Sequence, residues 1–280
     1  MNRRTFLGTS GLVALGSLSG CLGRSPFATD DGVTETVSDT FVVGEVDSIR
    51  VVNDIGDVTV RGTDADEVRA RVVKRSTNGQ AGLDDITARL ALDGGVLTVE
   101  SSIDEDARWF TRSSPSTDVT VTVPEGDAGP PIESVTSELG DVTLLNTRGD
   151  TTVQTDLGNV TADDVDGYLD LQSDLGEVLS SGSAGLRRAH SDLGEVTVEV
   201  WGVREDVEIG TELGDVAVGI ANDLDVDVLA ESVSGVSSNL GLTNVESSDD
   251  RLAGRLNDGG PRVHVFSELG DVALRTLQRE

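Results

Sequence analysis

The sequence predicts an all-β chain wound as a β-solenoid, and three observations carry that prediction. A four-residue signature recurs at near-constant spacing, apolar residues alternate with period two around it, and turn-forming Gly outnumbers Pro by 33 to 6. The signature is an apolar residue, Gly, an acid or Asn, and Val. Its copies are Ile55-Gly56-Asp57-Val58, Leu139-Gly140-Asp141-Val142, Leu157-Gly158-Asn159-Val160, Leu175-Gly176-Glu177-Val178, Leu193-Gly194-Glu195-Val196, Leu213-Gly214-Asp215-Val216 and Leu269-Gly270-Asp271-Val272. From Gly140 to Gly194 the glycines lie 18 residues apart, and the next step, to Gly214, is 20. A degenerate copy, Val233-Ser234-Gly235-Val236, follows, and the 36 residues from Val233 to Leu269 leave room for one further irregular turn.

In chain order, residues 1–20 read as an export signal. The first 29 residues hold no Asp or Glu, and Arg3 and Arg4 precede Phe6 and Leu7 in a twin-arginine-like pattern followed by a mild apolar run to Leu18. That run is shorter than the roughly 20 apolar residues a membrane span needs. It ends in Leu18-Ser19-Gly20-Cys21, a lipobox-like step in which cleavage before Cys21 would expose its thiol for lipidation. Cys21 is the sole cysteine, so the fold holds without an internal disulfide. Residues 21–40 then read as lipidated Cys and flexible tether, on their Gly, Ser, Pro, Thr and Asp content.

Residues 41–131 are expected to form an N-terminal β region, with strands at 48–52, 58–61, 68–73, 95–100 and 118–123 and one helical turn at 84–90. Pro124, Pro130 and Pro131 punctuate the passage into the regular array. Residues 132–280 are the solenoid repeats. Their columns place Val135, Val153, Leu171, Ala189, Ile209 and Val265 on one inward row, and Val142, Val160, Val178, Val196, Val216 and Val272 on another. Val135-x-Ser137-x-Leu139 and its counterparts also assign the signature leucines inward, so Leu175 and Val178 are both expected in the core. Half-repeats centred on Gly149, Gly167 and Gly185 are expected to supply the return strands.

Composition excludes several function classes. With 21 Lys+Arg against 51 Asp+Glu, the net charge of −30 makes contact with nucleic acid or an anionic surface unfavourable. Two His and one Cys cannot build a zinc or iron–sulfur site alone, so no cofactor is expected. Every basic residue but Lys74 is Arg, and so acidic a surface reads as an adaptation to molar salt, where the Debye length falls to about 3 Å.

Two acidic columns flank the signature: Glu138, Asp156, Asp174, Asp192, Glu212 and Glu268 before it, and Asp141, Asn159, Glu177, Glu195, Asp215 and Asp271 within it. Calcium, with six to eight oxygen ligands, is a conceivable occupant, but the nine-residue Gly-rich calcium repeat of β-rolls is absent, and no metal ligand is assigned. A hydroxyl column, Ser137, Thr155, Ser173, Ser191, Thr211 and Ser267, with Asn53 in the matching early place, reads as a hydrogen-bonded ladder. The catalytic alternative at His190-Ser191-Asp192 fails on geometry, because strand neighbours point to opposite faces. His190 and His264 fall on outward rows, and no catalytic residue is assigned. A polysaccharide-active enzyme would have to draw on Trp109, Phe110 and Arg112, Trp201, or Arg187 and Arg188; Trp109 and Phe110 fit a cap on the core better.

The early Gly-Asp-Val, the Val121-Thr122-Val123-Pro124 step, the serial coils and the closing Gly259-Gly260-Pro261-Arg262-Val263-His264-Val265 resemble the putative-adhesin β-strand-repeat family over residues 41–280. The resemblance implies a right-handed β-helix-like fold in an extracytoplasmic or surface setting. The expectation is therefore a non-catalytic lipoprotein, anchored to the membrane through Cys21, that binds an envelope protein or glycan and no nucleic acid. A polysaccharide-active enzyme or a calcium-dependent surface binding protein is the alternative.

Overall fold

The computed structural model describes residues 32–104 and 115–278. Each coil runs one strand up a twelve-stranded sheet, turns at the signature Gly, and returns down an eleven-stranded sheet. In the Gly140 coil these strands are Ile132–Leu139 and Val142–Leu145, and Thr152–Leu157 opens the next coil. The strands are parallel and in register: Val135 pairs with Val153, Val153 with Leu171, Leu171 with Ala189, Ala189 with Ile209, and Ile209 with Val265. The row from Val142 to Val272 stacks likewise on the other sheet. Both expected inward rows are buried and join one core, a thin one built mostly of Val. Parallel strands set each side chain about 4.8 Å from its counterpart, so identical apolar residues at one position bury one another along the whole stack.

Both ends depart from sequence order. The Ile55 copy is a true rung, with Ile55 pairing Leu139 and Val58 pairing Val142. Outside it lies the later coil made by Val96–Ile103 and Ser116–Pro124. At the other end, the last coil, Arg262–Leu269 and Val272–Leu277, threads back between the Gly214 coil and the degenerate one. The degenerate coil, Val226–Ser232 and Val236–Ser238, is thus outermost. Residues between the two copies form antiparallel strands Thr243–Ser247 and Arg251–Leu256 that cover this edge. At the first end Val33–Val42, Glu67–Ser76 and Ile86–Asp93 do the same. Antiparallel strands thus border both sheets at the first end and the twelve-stranded sheet at the other, where the three-residue strand Val236–Ser238 ends the eleven-stranded sheet and leaves only a short open edge. The described residues cluster as one compact unit.

Four expectations need correction. Val33–Val42 is a strand, paired along its length with Glu67–Ser76, so the sheet begins within the segment read as tether. Backbone bonds hold it while most of its side chains face solvent, which removes the apolar alternation that sequence patterning detects. The helical turn is Gly79–Asp84 and not 84–90; Ile86–Asp93 is a strand, turned onto Val96–Ile103 through Gly94 and Gly95, both at positive φ. Gly149 and Gly167 lie at the second corner of their coils, outside the return strands. Finally, the signature leucines are not in the core: Leu139, Leu157, Leu175, Leu193, Leu213 and Leu269 are 43 to 60% exposed. In every coil strand pairing skips the acid just before the Leu, so the backbone bends there, breaks the alternation and rolls the Leu outward. The small hydroxyl residue takes the last inward place instead.

Among the described residues no helix is long and apolar enough to cross a membrane.

Candidate functional site

The repeated corner is where the recurring polar chemistry of the chain gathers, and its glycines explain its form. The φ of Gly140 is 136°, a region L side chains rarely adopt, and a Cβ on it would lie 2.2 Å from the carbonyl oxygen of Gly56 in the coil before. The same approach recurs up the column, to 1.9 Å for Gly270 against Gly214. Only Gly lets successive corners nest at the spacing the sheets impose.

The carbonyls so exposed are taken up by the hydroxyl column of the next coil. Thr155 donates to Gly140 O at 3.2 Å, Ser173 to Gly158 O at 2.8 Å, Ser191 to Gly176 O at 2.8 Å, Thr211 to Gly194 O at 3.0 Å and Ser267 to Gly214 O at 2.8 Å. All five hydroxyls are buried. Ser137 breaks the pattern: its acceptor would be Gly56 O, but Asn53 Nδ2 already donates there at 2.7 Å, and the Ser137 hydroxyl has no hydrogen-bond partner among the described residues. Asn53 Oδ1 in turn accepts from Thr117, which accepts from Ser101, closing the ladder at its first end.

The acid column within the signature is also partly structural. Asp57, Asp141, Asn159 and Asp215 each accept the backbone N–H of the corresponding residue one coil on, at 2.8 to 3.1 Å. A short Asp or Asn reaches that N–H and pins the corners together. In the other column, burial first, then the neighbouring Asp174 and Glu138 carboxylates, push the Asp156 carboxyl above its ordinary range. Among the described residues no three His, Cys, Asp or Glu are grouped as a metal site would require.

Between the columns stand the leucines. They form an exposed aliphatic ladder of six side chains in consecutive coils, flanked in sequence by the two acidic columns, with Asn159 the one uncharged member. At its first end it runs into a small separate cluster, where Leu83 of the helical turn, Ile86 and Ile103 are buried and Ile55 packs against them. Parity along the strand hid this ladder; the signal that could have revealed it is an acid followed directly by Leu and Gly, which puts a bend where the alternation was extended.

His190, Ser191 and Asp192 do not make a triad. Ser191 is spent on Gly176, while His190 Nε2 meets Asp192 at 3.0 Å on the outer face. The outer face also carries Phe266, whose ring centroid lies 6.0 Å from His190 and 5.3 Å from His264. Arg187 and Arg188 line a shallow cleft of about 430 Å³ with Asp206, Glu208, Arg262 and His264. Trp201 is half-buried and donates to Glu199 at 3.0 Å. Arg3, Arg4, Phe6, Leu7, Cys21, Trp109, Phe110 and Arg112 lie outside the described residues.

The family model for Toastrack DUF4097 matches residues 134–275, the stretch that carries the regular coils. No curated protein matches the chain. Among solved structures, a putative cell adhesion protein from Clostridium sporogenes aligns at 10% identity and a TM-score of 0.39, covering 88% of this chain and 100% of its own. A putative adhesin from Bacteroides fragilis aligns at 14% identity and 0.39, covering 87% and 97%. A putative lipid binding protein from Parabacteroides distasonis aligns at 11% and 0.35, covering 87% and 96%.

Proposed function

We propose that this chain, which belongs to the Toastrack DUF4097 family, is a non-catalytic binding module exported across the membrane and held there by lipid on Cys21. The observation that carries the reading is the layout of its polar groups. Hydroxyls, acids and corner glycines repeat along the stack as columns, the hydroxyls and glycines spent on holding coils together, instead of converging on one reacting centre. Such a surface presents the same chemistry many times over a length, which suits recognition of an extended partner. The setting rests on the sequence alone: Arg3 and Arg4 with Phe6 and Leu7 for export, residues 1–20 removed, and Cys21 with the residues up to the first strand as anchor and spacer. The body it carries comprises the N-terminal β region, which with its first strand runs from Val33 to residue 131, and the repeats, 132–280.

Fractionation tests the anchor. Cys21→Ser should move the protein from the membrane to the medium, or leave the precursor uncleaved, because one acyl-bearing thiol supplies the only lipid attachment the sequence offers. Equal membrane retention of a normally cleaved variant would rule the lipoprotein reading out.

A further inference from the structure

The leucine ladder has no role in the core, yet it is repeated in every regular coil. We propose that it is a docking surface for a cationic amphipathic helix of a partner protein, with the partner's apolar stripe on the leucines and its Lys or Arg side chains against the two acidic columns. The inference names a partner for the binding-module reading and rests on it.

Three observations argue for this occupant. The first is charge: of the residues flanking the six leucines in the two columns, all are Asp or Glu except Asn159, and none is basic. Apolar surface rimmed in this way marks an interaction site, and the rim selects the sign of the partner. A second copy of this chain would set acid against acid, and an anionic lipid surface would do the same.

The second is length. Six rungs at about 4.8 Å span about 24 Å, which a helix covers in about 16 residues at 1.5 Å each. Helical turns advance about 5.4 Å, so a helical stripe slips only about 3 Å over five rungs, less than one rung. The third is continuity. Where the ladder enters the first coils, the chain's own helical turn already covers it, with Leu83 and Ile86 burying Ile103 and packing on Ile55. The open leucines extend that covered end.

The test titrates three labelled 18-residue peptides against the full chain, followed by fluorescence anisotropy over a range of NaCl in which circular dichroism shows the protein folded. One peptide has Leu on one helical face flanked by Lys, one has the same composition scrambled so that Leu surrounds the helix, and one has Glu in place of Lys. The facial Lys peptide should bind at least tenfold more tightly than the scrambled one, and the Glu peptide should not bind. Leu157→Ser with Leu175→Ser and Leu193→Ser should erase the preference while leaving the melting temperature nearly unchanged. Should that variant fail to fold, Glu177→Gln with Glu195→Gln leaves the ladder whole and should weaken the facial peptide at least threefold. Equal binding of the facial and scrambled peptides, or an unchanged preference in the folded Ser variant, overturns the proposal. So does unchanged binding in the Gln variant. A dimer in sedimentation that the Ser substitutions abolish would also overturn it, by assigning the ladder to a second copy. No membrane enters this assay, so its failure is distinct from a failure of the anchor, which fractionation reads.

Discussion

Ser137 and Ser173 occupy the same place in their coils, yet one hydroxyl lacks an acceptor and the other donates to Gly158 O at 2.8 Å. A buried hydrogen bond contributes about 0.5–1.5 kcal/mol, while a buried polar group without a partner costs about 1–3 kcal/mol. Ser173→Ala should therefore destabilise by about 1 kcal/mol, and Ser137→Ala should be neutral or stabilising; urea melts that show equal losses would refute the ladder's assignment. Asp156 gives a second test at this scale, through pH. Its carboxyl is raised in the folded state, so the folded chain holds that proton more tightly than the unfolded chain does. The associated stability is present in full below the unfolded pKa of about 3.9 and is lost as pH rises through the higher folded value. At neutral pH the ionised Asp156 is thus a liability, and Asp156→Asn should raise the melting temperature at pH 7 in fixed salt. The gain should shrink on acidification and vanish by about pH 3, where the parent is protonated in both states. A gain that persists unchanged at pH 3 would point to a cause other than charge.

At the scale of the coil, Leu175 and Val178 sit three residues apart on either side of one corner, the first 49% exposed and the second fully buried. Val178→Asp would bury a charge in the row between Val160 and Val196 and should cost several kcal/mol, about 3–5, whereas Leu175→Asp should cost less than about 1. Similar thermal melts for the two variants would reject the inward and outward assignment. The period, both apolar rows, the hydroxyl column and the early Ile55 rung were legible in the sequence, because each rests on a short-range rule that every coil obeys: period two, one Gly per corner, one small polar residue beside it. The leucines were misread because parity was carried through a bend, and no local rule states that Glu138 or Asp156 ends the alternation. The threading of the last coil between the Gly214 coil and the degenerate one was illegible for another reason. Parallel rungs present the same row to either neighbour, so Ile209 packs equally well on whatever apolar row follows, and the stacking order is set by the loops and antiparallel covers. The strand Val33–Val42 was hidden because its bonds are backbone bonds, which composition does not display.

For the whole molecule the governing quantity is a net charge of −30 arranged partly as ladders. Two unit charges about 4.8 Å apart in water repel by roughly 0.9 kcal/mol before screening, and a full ladder multiplies that. The fold answers part of this itself: Asp57, Asp141 and Asp215 accept N–H bonds from the next coil, so each of these carboxylates has a backbone donor without any bound cation. What remains is long-range repulsion, which monovalent salt relieves. Stability should therefore rise with NaCl and with KCl almost interchangeably, and level off once the Debye length falls below the rung spacing, near 1 M. In constant molar NaCl, millimolar Ca²⁺ should add little, because a shell of six to eight oxygens needs converging carboxylates, and among the described residues no three are grouped in that way. A site that did form would reveal itself by linkage, raising stability by about RT ln(1 + [L]/Kd) and saturating, with Mg²⁺ a poor substitute because it holds its waters. Calorimetric melts across a Ca²⁺ series at fixed NaCl decide between the two. A saturable shift, lost in Glu177→Gln with Glu195→Gln, would make the corner a calcium-dependent face; a flat series with monotonic NaCl and KCl curves would leave screening as the sole role of salt, and would keep the acids free to select the charge of a partner.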